Sequence, residues 1–204
     1  INYAQRIQSA MLPPDVYISE LLHDMFILFK PRYIVSGDFY WIKQVNQYII
    51  IVAADCTGHG VPGAFMSMLG ISFLNEIVQR REITQANQVL NELRKQIKQA
   101  LRQRGQKDES KDGMDISLRA IDTTSNIMPF AGAYNPLYQV QYTNTQSELI
   151  EYNADRTPVG MYMGREESFT HHEVTLNIGH TFYIVTDGLA DNLAGSEVKQ
   201  VMAE

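Results

Sequence analysis

The chain has 204 residues, 45% of them hydrophobic, with 17 basic against 23 acidic side chains and a net charge of −6. That acidic balance excludes a general nucleic-acid binder, whose phosphate contacts need a basic face, and the hydrophobic content excludes a largely disordered chain. A chain of this length buries roughly 70% of the surface its unfolded form exposes, so it folds without staples; its single cysteine, Cys56, permits no intrachain disulfide.

The longest unbroken apolar run, Tyr48–Ala54, falls short of the ~20 residues of a membrane-spanning helix. These features are read as a cytoplasmic domain. With Ile1 in place of Met, the chain is read as a piece of a longer protein, in which a membrane anchor upstream is compatible with a cytoplasmic domain here.

Ile1, Ala4, Ile7 and Met11 recur at helical spacing, and Leu12-Pro13-Pro14 ends that helix because proline removes a donor and restricts the residue before it. So short a helix is marginal alone and needs a partner surface. That surface is either its own domain or, as a coiled coil, a second copy in a homodimer. Residues 1–14 are read as a linker or regulatory helix and 15–204 as one domain.

From Met25 the period becomes two, predicting strands at 25–29, 38–45 and 48–54, the last two joined by a tight hairpin at Asn46-Gln47. Residues 62–80 read as a helix apolar nearly all round, with Ala64, Met68, Ile71 and Val78 on one side and Phe65, Leu69, Phe73 and Ile77 on another. Such a helix is expected between layers. A second helix has Thr84 as its N-cap, Gly105 as its stop and a stripe of Ala86, Val89, Leu90, Leu93, Ile97 and Leu101. After a charged loop at 106–111 come predicted strands at 114–122, 126–131, 136–142, 148–152, 169–176 and 180–186. Strands, two helices, then many strands make an α+β pattern, and two antiparallel sheets packed face to face with helices outside are expected.

Three aspartates stand beside glycines at strand boundaries: Asp38 in Gly37-Asp38-Phe39, Asp55 in Asp55-Cys56-Thr57-Gly58-His59-Gly60, and Asp187 before Gly188. An aspartate directly after a buried strand has lost hydration and wants a partner. Each alone reads more readily as a turn former or a helix cap than as a ligand. Together, with one cysteine and scattered histidines, they point to a hard-cation site for Mg2+ or Mn2+ rather than Zn2+. A P-loop is absent, and Asp55-Cys56-Thr57 is not the Asp-x-Asp pair of an aspartyl nucleophile.

Four pieces occur in order: Gly37-Asp38-Phe39-Tyr40, Ala54-Asp55-Cys56-Thr57-Gly58-His59-Gly60 with Pro62-Gly63-Ala64, Asp112-Gly113-Met114-Asp115, and Thr186-Asp187-Gly188. Together they resemble the metal-dependent serine/threonine phosphatases of the type 2C (PPM) family, in the SpoIIE/RsbU-like branch. Arg6-Ile7-Gln8 through Leu12-Pro13-Pro14 resembles the linker helix before that domain, and Gly132-Ala133-Tyr134-Asn135-Pro136 a strand turn of the same branch. The resemblance spans residues 4–192.

It implies an αββα sandwich with two Mn2+ or Mg2+ ions at one end. Asp55 would bridge both ions, with the Cys56 carbonyl as an added ligand, while Asp38 holds one ion and Asp187 the other; Asp112 is similar in position to an acidic residue serving a third ion. In this chemistry a hydroxide bridging ions about 3.5–4 Å apart attacks phosphorus in line, so Cys56 is not a nucleophile. His59 is the candidate proton donor to the leaving oxygen; the alternative for a histidine in a Gly-His-Gly turn is a hydrogen bond that holds the loop. Lys30 and Arg32 are read as solvated, Asp115 receives no direct role, and His171-His172 is expected at the surface.

The implied substrate is a phosphorylated signalling protein such as an anti-sigma-factor antagonist, under an upstream sensor. The branch ends in a further helix and a strand opening with paired aspartates. No such pair precedes Glu204, and Asp191 does not replace it, so the domain is expected to be truncated at its C-terminus. The competing expectation is a weakly active or inactive phosphatase-like interaction module.

Overall fold

The computed structural model describes residues 1–80, 85–106, 109–142, 146–188 and 202. Its frame is a set of antiparallel strands beginning with β1 (Phe39–Val45) and β2 (Tyr48–Cys56). Their register ends at Val45↔Tyr48, which leaves Asn46-Gln47 as the two-residue turn, with Asn46 at φ 52 in the left-handed region that asparagine tolerates. β2 pairs β3 (Gly113–Asp122), β3 pairs β4 (Ile127–Ala133), and β4 pairs β8 (His172–Thr175), while the short β7 (Val159–Gly160) joins the start of β3. A second sheet has the order β6 (Ser147–Tyr152), β5 (Leu137–Tyr142), β9 (Thr181–Ile184).

Alternation divides each strand between two cores. Phe39, Trp41, Ile50, Val52, Ala54, Ile116, Leu118 and Ala120 face the helices α3 (Gly60–Arg80) and α4 (Ala86–Ala100), meeting Leu74, Ile77, Val78, Leu90, Leu93 and Ile97. The alternate residues Ile42, Ile49 and Ile51 turn the other way and meet Ile184 of the second sheet. Met128, Phe130 and Val174 likewise meet Leu137 and Phe182. On the outer face of that second sheet Val140 buries against Met202. This is the expected α+β arrangement of two antiparallel sheets back to back with helices outside.

Several expectations need correction. Residues 25–29 run extended but pair with no strand among the described residues; Met25 and Ile27 pack on the Ile42–Ile49–Ile51 core while Phe26 and Leu28 stay exposed. The alternation was therefore real, but it reports one buried side rather than a ladder. A seven-residue helix, α2 (Asp15–Leu21), was not foreseen, because so few residues show no periodicity; it buries Ile18. The strands expected at 169–176 and 180–186 are four residues each, 172–175 and 181–184.

Helix α3 is not sandwiched between layers. Its Ala64, Ile71, Leu74 and Val78 are buried, whereas Phe65 is 64% exposed. By length and composition Gly60–Gln79 could cross a membrane, with a mean hydropathy of 1.4. Half of that stretch is buried inside the fold, as in a core helix of a globule.

Helix α4 ends at Ala100, before the expected stop at Gly105. Arg102 takes the left-handed position at φ 54, and Gln103 N–H to Lys98 O with Arg102 N–H to Gln99 O closes the turn. The expected cap Thr84 lies outside the described residues.

Helix α1 (Asn2–Met11) carries the largest surprise. Pro13 and Pro14 end it, with Leu12 extended at ψ 145. Its buried side, however, is centred on Gln8, while Ile1 and Ile7 of the expected apolar face are exposed. Met11 and Leu12 pack on the main core.

Candidate metal centre

The registers bring the acidic residues into a row. Phe39 pairs Ala54, so Asp38 stands next to Asp55, and Asp55 in turn is paired with Asp115. Because Phe39, Ala54, Cys56, Met114 and Ile116 face the helices, Asp38, Asp55 and Asp115 turn toward the second sheet. Asp187, just past β9, reaches the same end from that second sheet. The Asp55 carboxyl lies close enough to those of Asp38 and Asp187 to be raised by both, and the Thr186 hydroxyl donates to Asp38 Oδ2 at 3.0 Å.

So many carboxyls cannot all ionise in a half-buried corner. Burial first, then the hydrogen bonds to Asp38 and Asp187 and their charges, push Asp55 up to about 9. Burial, with the charge of Asp187, lifts Asp115 to about 6. Burial and the charges of Asp55, Asp38 and Asp115 also raise the Cys56 thiol well above its usual range, which keeps it protonated and inert as a nucleophile.

The donors are all carboxylate oxygens, the set a hard divalent cation selects. Among the described residues no three His, Cys, Asp or Glu side chains are spread as a ready ligand shell. A cation in this corner would supply the positive charge that the crowded carboxyls call for. The residues present therefore fit Mg2+ or Mn2+.

Glycines set the backbone behind this row. A Cβ on Gly37 would stand 2.9 Å from Gly58 O and 3.1 Å from Cys56 O, and one on Gly63 would stand 2.5 Å from Gly58 O. The Gly37 turn, the 56–60 loop and the first turn of α3 thus touch backbone to backbone. Thr57 ties the loop to β3: its N–H donates to Gly113 O at 2.9 Å, and the Gly113 N–H donates to Thr57 Oγ1 at 3.1 Å.

Other predicted residues stand apart. The Asp112 carboxylate accepts the Ser110 hydroxyl, and its carbonyl accepts Gln103 Nε2 at 2.6 Å. His59 is exposed and stacks on Tyr33, with ring centroids 5.2 Å apart and an interplanar angle of 23°. Arg32 lies over the same Tyr33 ring at 5.5 Å. Among the described residues no hydrogen bond joins His59 or Asp112 to Asp55. His172 is not at the surface as expected but half-buried against Phe130 and Tyr152. Asp191 lies outside the described residues.

Asp115 is the residue that sequence reasoning passed over. Its signal was the register: a strand ending at Asp55 and an antiparallel one starting at Gly113 place the two carboxylates opposite.

Both carboxyl shifts are upward, so the folded state keeps protons that the unfolded chain releases above its ordinary aspartate range. Stability must then fall as pH rises. Without divalent ions the melting temperature is expected to decline from about pH 4 to about pH 9, with Asp115 contributing only up to about pH 6. Saturating Mg2+ should reverse the decline at alkaline pH. A melting temperature that stays flat across this window in chelator would contradict the raised carboxyls.

Two antiparallel sheets with helices outside are also the fold of PP2C-type phosphatase domains, to which this chain is similar. The SiaA-PP2C domain of Pseudomonas aeruginosa is 32% identical, with a TM-score of 0.79 over 93% of this chain and 71% of that one. The RsbU and RsbW domains of Rv1364c from Mycobacterium tuberculosis superpose with a TM-score of 0.64 at 22% identity, covering 84% of this chain and 46% of that one. The PP2C phosphatase domain of SpoIIE from Bacillus subtilis gives 0.62 at 18% identity, covering 83% and 48%. Residues 46–203 match the family described as Stage II sporulation protein E (SpoIIE), and the chain belongs to that family. No curated protein matches it.

Proposed function

We propose that this PP2C-type domain hydrolyses phosphoserine or phosphothreonine on a protein partner, using divalent ions held by Asp38, Asp55 and Asp187. The observation that carries the reading is the strand register that sets Asp38 beside Asp55 at the sheet end, with Thr186, next to Asp187, bonded to Asp38. Asp115, opposite Asp55, adds a fourth carboxylate to the same corner.

Ions bound there supply charge to offset the phosphoryl oxygens and lower the pKa of water. The chain supplies the rest. The glycine contacts set the Cys56 carbonyl against the Gly37 turn, one residue past Asp55 at the end of β2, a fixed arrangement of the kind that phosphoryl transfer asks for. Thr186 fixes one oxygen of Asp38. His59, exposed four residues past Asp55, gives a proton to the leaving serine oxygen once substrate covers it.

SiaA, RsbU and SpoIIE domains among the similar structures support a phosphorylated regulatory protein, such as an anti-sigma-factor antagonist, as the substrate class, with control exerted by an upstream sensor. The test is phosphate release from a phosphoseryl peptide and from an aryl phosphate, with Mn2+, Mg2+ or chelator. Ion-dependent release from both is expected. His59→Ala should slow only the peptide, whose leaving oxygen needs the proton. Tight ion binding without release from either substrate would instead support a phosphatase-like interaction module.

A further inference from the structure

The end of α4 and the turn after it border a recess of about 440 Å3 whose charge is opposite to that of the chain. Four cations line it, Lys95, Lys98, Arg102 and Arg104, against one carboxylate, Glu166. Lys95, Lys98 and Arg102 follow one another at spacings of three and four, which sets them on one side of the helix and its final turn. Lys98 pairs with Glu166 at 2.6 Å, and Lys95 lies 3.9 Å from Glu92. Arg102 is exposed and has no carboxylate within salt-bridge reach among the described residues. The Glu109 carboxylate accepts the N–H groups of Arg104, Gly105 and Gln106, which fixes the turn that carries Arg104.

Cations at a helix C-terminus offset its dipole, and that accounts for Lys98 in the last turn of α4. It does not account for Gln103, which also lines the recess and is 5% exposed. Gln103 Nε2 donates to Asp112 O at 2.6 Å, which fixes the orientation of the amide. Its Oε1 is left buried with no hydrogen-bond partner among the described residues. A buried acceptor without a donor is costly, and it calls for a ligand that brings an N–H or O–H.

Main chain joins the recess to the metal centre. Gln103 holds the carbonyl of Asp112, the next residue Gly113 exchanges hydrogen bonds with Thr57, and Thr57 stands two residues past Asp55. A peptide laid along this edge spans both.

We propose that the recess docks an acidic segment of the phosphoprotein substrate: its carboxylates meet Lys95, Arg102 and Arg104, and one of its peptide N–H groups donates to Gln103 Oε1. That the segment belongs to the substrate rests on the phosphatase reading above. A bare anion brings only acceptors and leaves Gln103 without a donor, whereas a peptide brings both kinds of group. On a chain of net charge −6 the overall field repels an acidic partner, so a locally positive recess selects where that partner lands.

The test has a binding arm and a turnover arm. In the first, a fluorescent glutamate-rich peptide without phosphate is titrated in chelator and read by anisotropy. The Lys95→Gln/Arg102→Gln double variant, which changes two exposed side chains, is expected to bind it about 5-fold or more weakly, and added salt should weaken the wild type toward the variant. Arg6→Gln, an exposed charge on α1, should bind as the wild type does. In the second arm, phosphoseryl peptides flanked by glutamates or by glutamines are compared with Mn2+ present. The glutamate peptide should have the lower KM at similar kcat, and the double variant should lose that preference.

Equal binding by wild type and double variant would overturn the proposal, as would a preference for glutamate that survives in the variant. Displacement of the peptide by a nucleoside triphosphate at lower concentration than by unlabelled peptide would assign the recess to another ligand and also overturn it. Phosphate release without peptide binding would sink the proposal and spare the phosphatase reading. Peptide binding that depends on Lys95 and Arg102, without release from any phosphopeptide, would sink that reading and support the recess as a dock for an acidic protein segment.

Discussion

Asp55→Asn is expected to abolish ion-dependent phosphate release while raising the melting temperature of the ion-free protein at pH 8. The two effects have one cause. In the wild type the Asp55 carboxyl, flanked by Asp38 and Asp187, keeps a proton up to about pH 9. Holding that proton costs stability wherever the unfolded chain would release it. An asparagine amide has the same shape, carries no charge and donates to both neighbours permanently, so the ion-free fold no longer works against pH.

The same change removes the central ligand. Deleting only the partner of a metal ligand costs about 10–100-fold in affinity or activity, so loss of the ligand itself sets a floor of ~10²-fold on turnover. In the wild type an ion at a hundred times its dissociation constant adds about 2.7 kcal/mol of stability; the variant should gain little. The melting curves therefore cross, with Asp55→Asn more stable in chelator and the wild type more stable in Mn2+. A variant that melts below the wild type in chelator would show that Asp55 is held ionised by some other partner.

The strands that could be read in advance were those with one buried face. The pair 38–45 and 48–54 is rich in β-branched and aromatic residues on both sides of Asn46-Gln47, and that two-residue turn gives its register. Residues 25–29 carry a similar pattern without a ladder, because alternation reports which side is buried and not whether a neighbouring strand exists. At the site, Asp38, Asp55 and Asp187 were legible because each interrupts an apolar strand end beside glycine.

Asp115 and Gln8 were not legible, for a shared reason. Each takes its meaning from a residue far away in sequence: Asp115 from the register opposite Asp55, Gln8 from Ser36 and Ser67. Asp115 reads locally as one polar residue between Met114 and Ile116. Gln8 reads as the solvent side of an amphipathic helix. The periodicity argument for α1 chose the apolar stripe, yet what α1 docks against is a peptide group that needed two hydrogen bonds more than it needed a methyl.

Two glycines of the same helix should respond differently to alanine, and the contrast tests whether loop contact governs the centre. Both Gly63 and Gly70 lie in α3, where alanine gains about 1 kcal/mol by propensity. At Gly70 the new methyl would meet the far end of Met114, Cε at 2.9 Å and Sδ at 3.3 Å, and Phe39 Cζ at 3.2 Å. The flexible thioether can give way, so Gly70→Ala should be near neutral in stability and keep its ion affinity.

At Gly63 every close atom is backbone: Gly58 O at 2.5 Å, Gly37 Cα at 3.0 Å and Gly58 C at 3.1 Å. Nothing there can rotate aside, and overpacking of about 1–3 kcal/mol exceeds the propensity gain. The relief available is to push apart the 56–60 loop and the Gly37 turn, which carry the Cys56 carbonyl and the Asp38 carboxyl. Gly63→Ala is therefore expected to be less stable by ~1–2 kcal/mol and to require a higher Mn2+ concentration for half-maximal turnover. Gly70→Ala should match the wild type in both measurements. Equal behaviour of the two variants would mean that the loop is not held by these contacts, and that the carboxylate row is positioned by the strands alone.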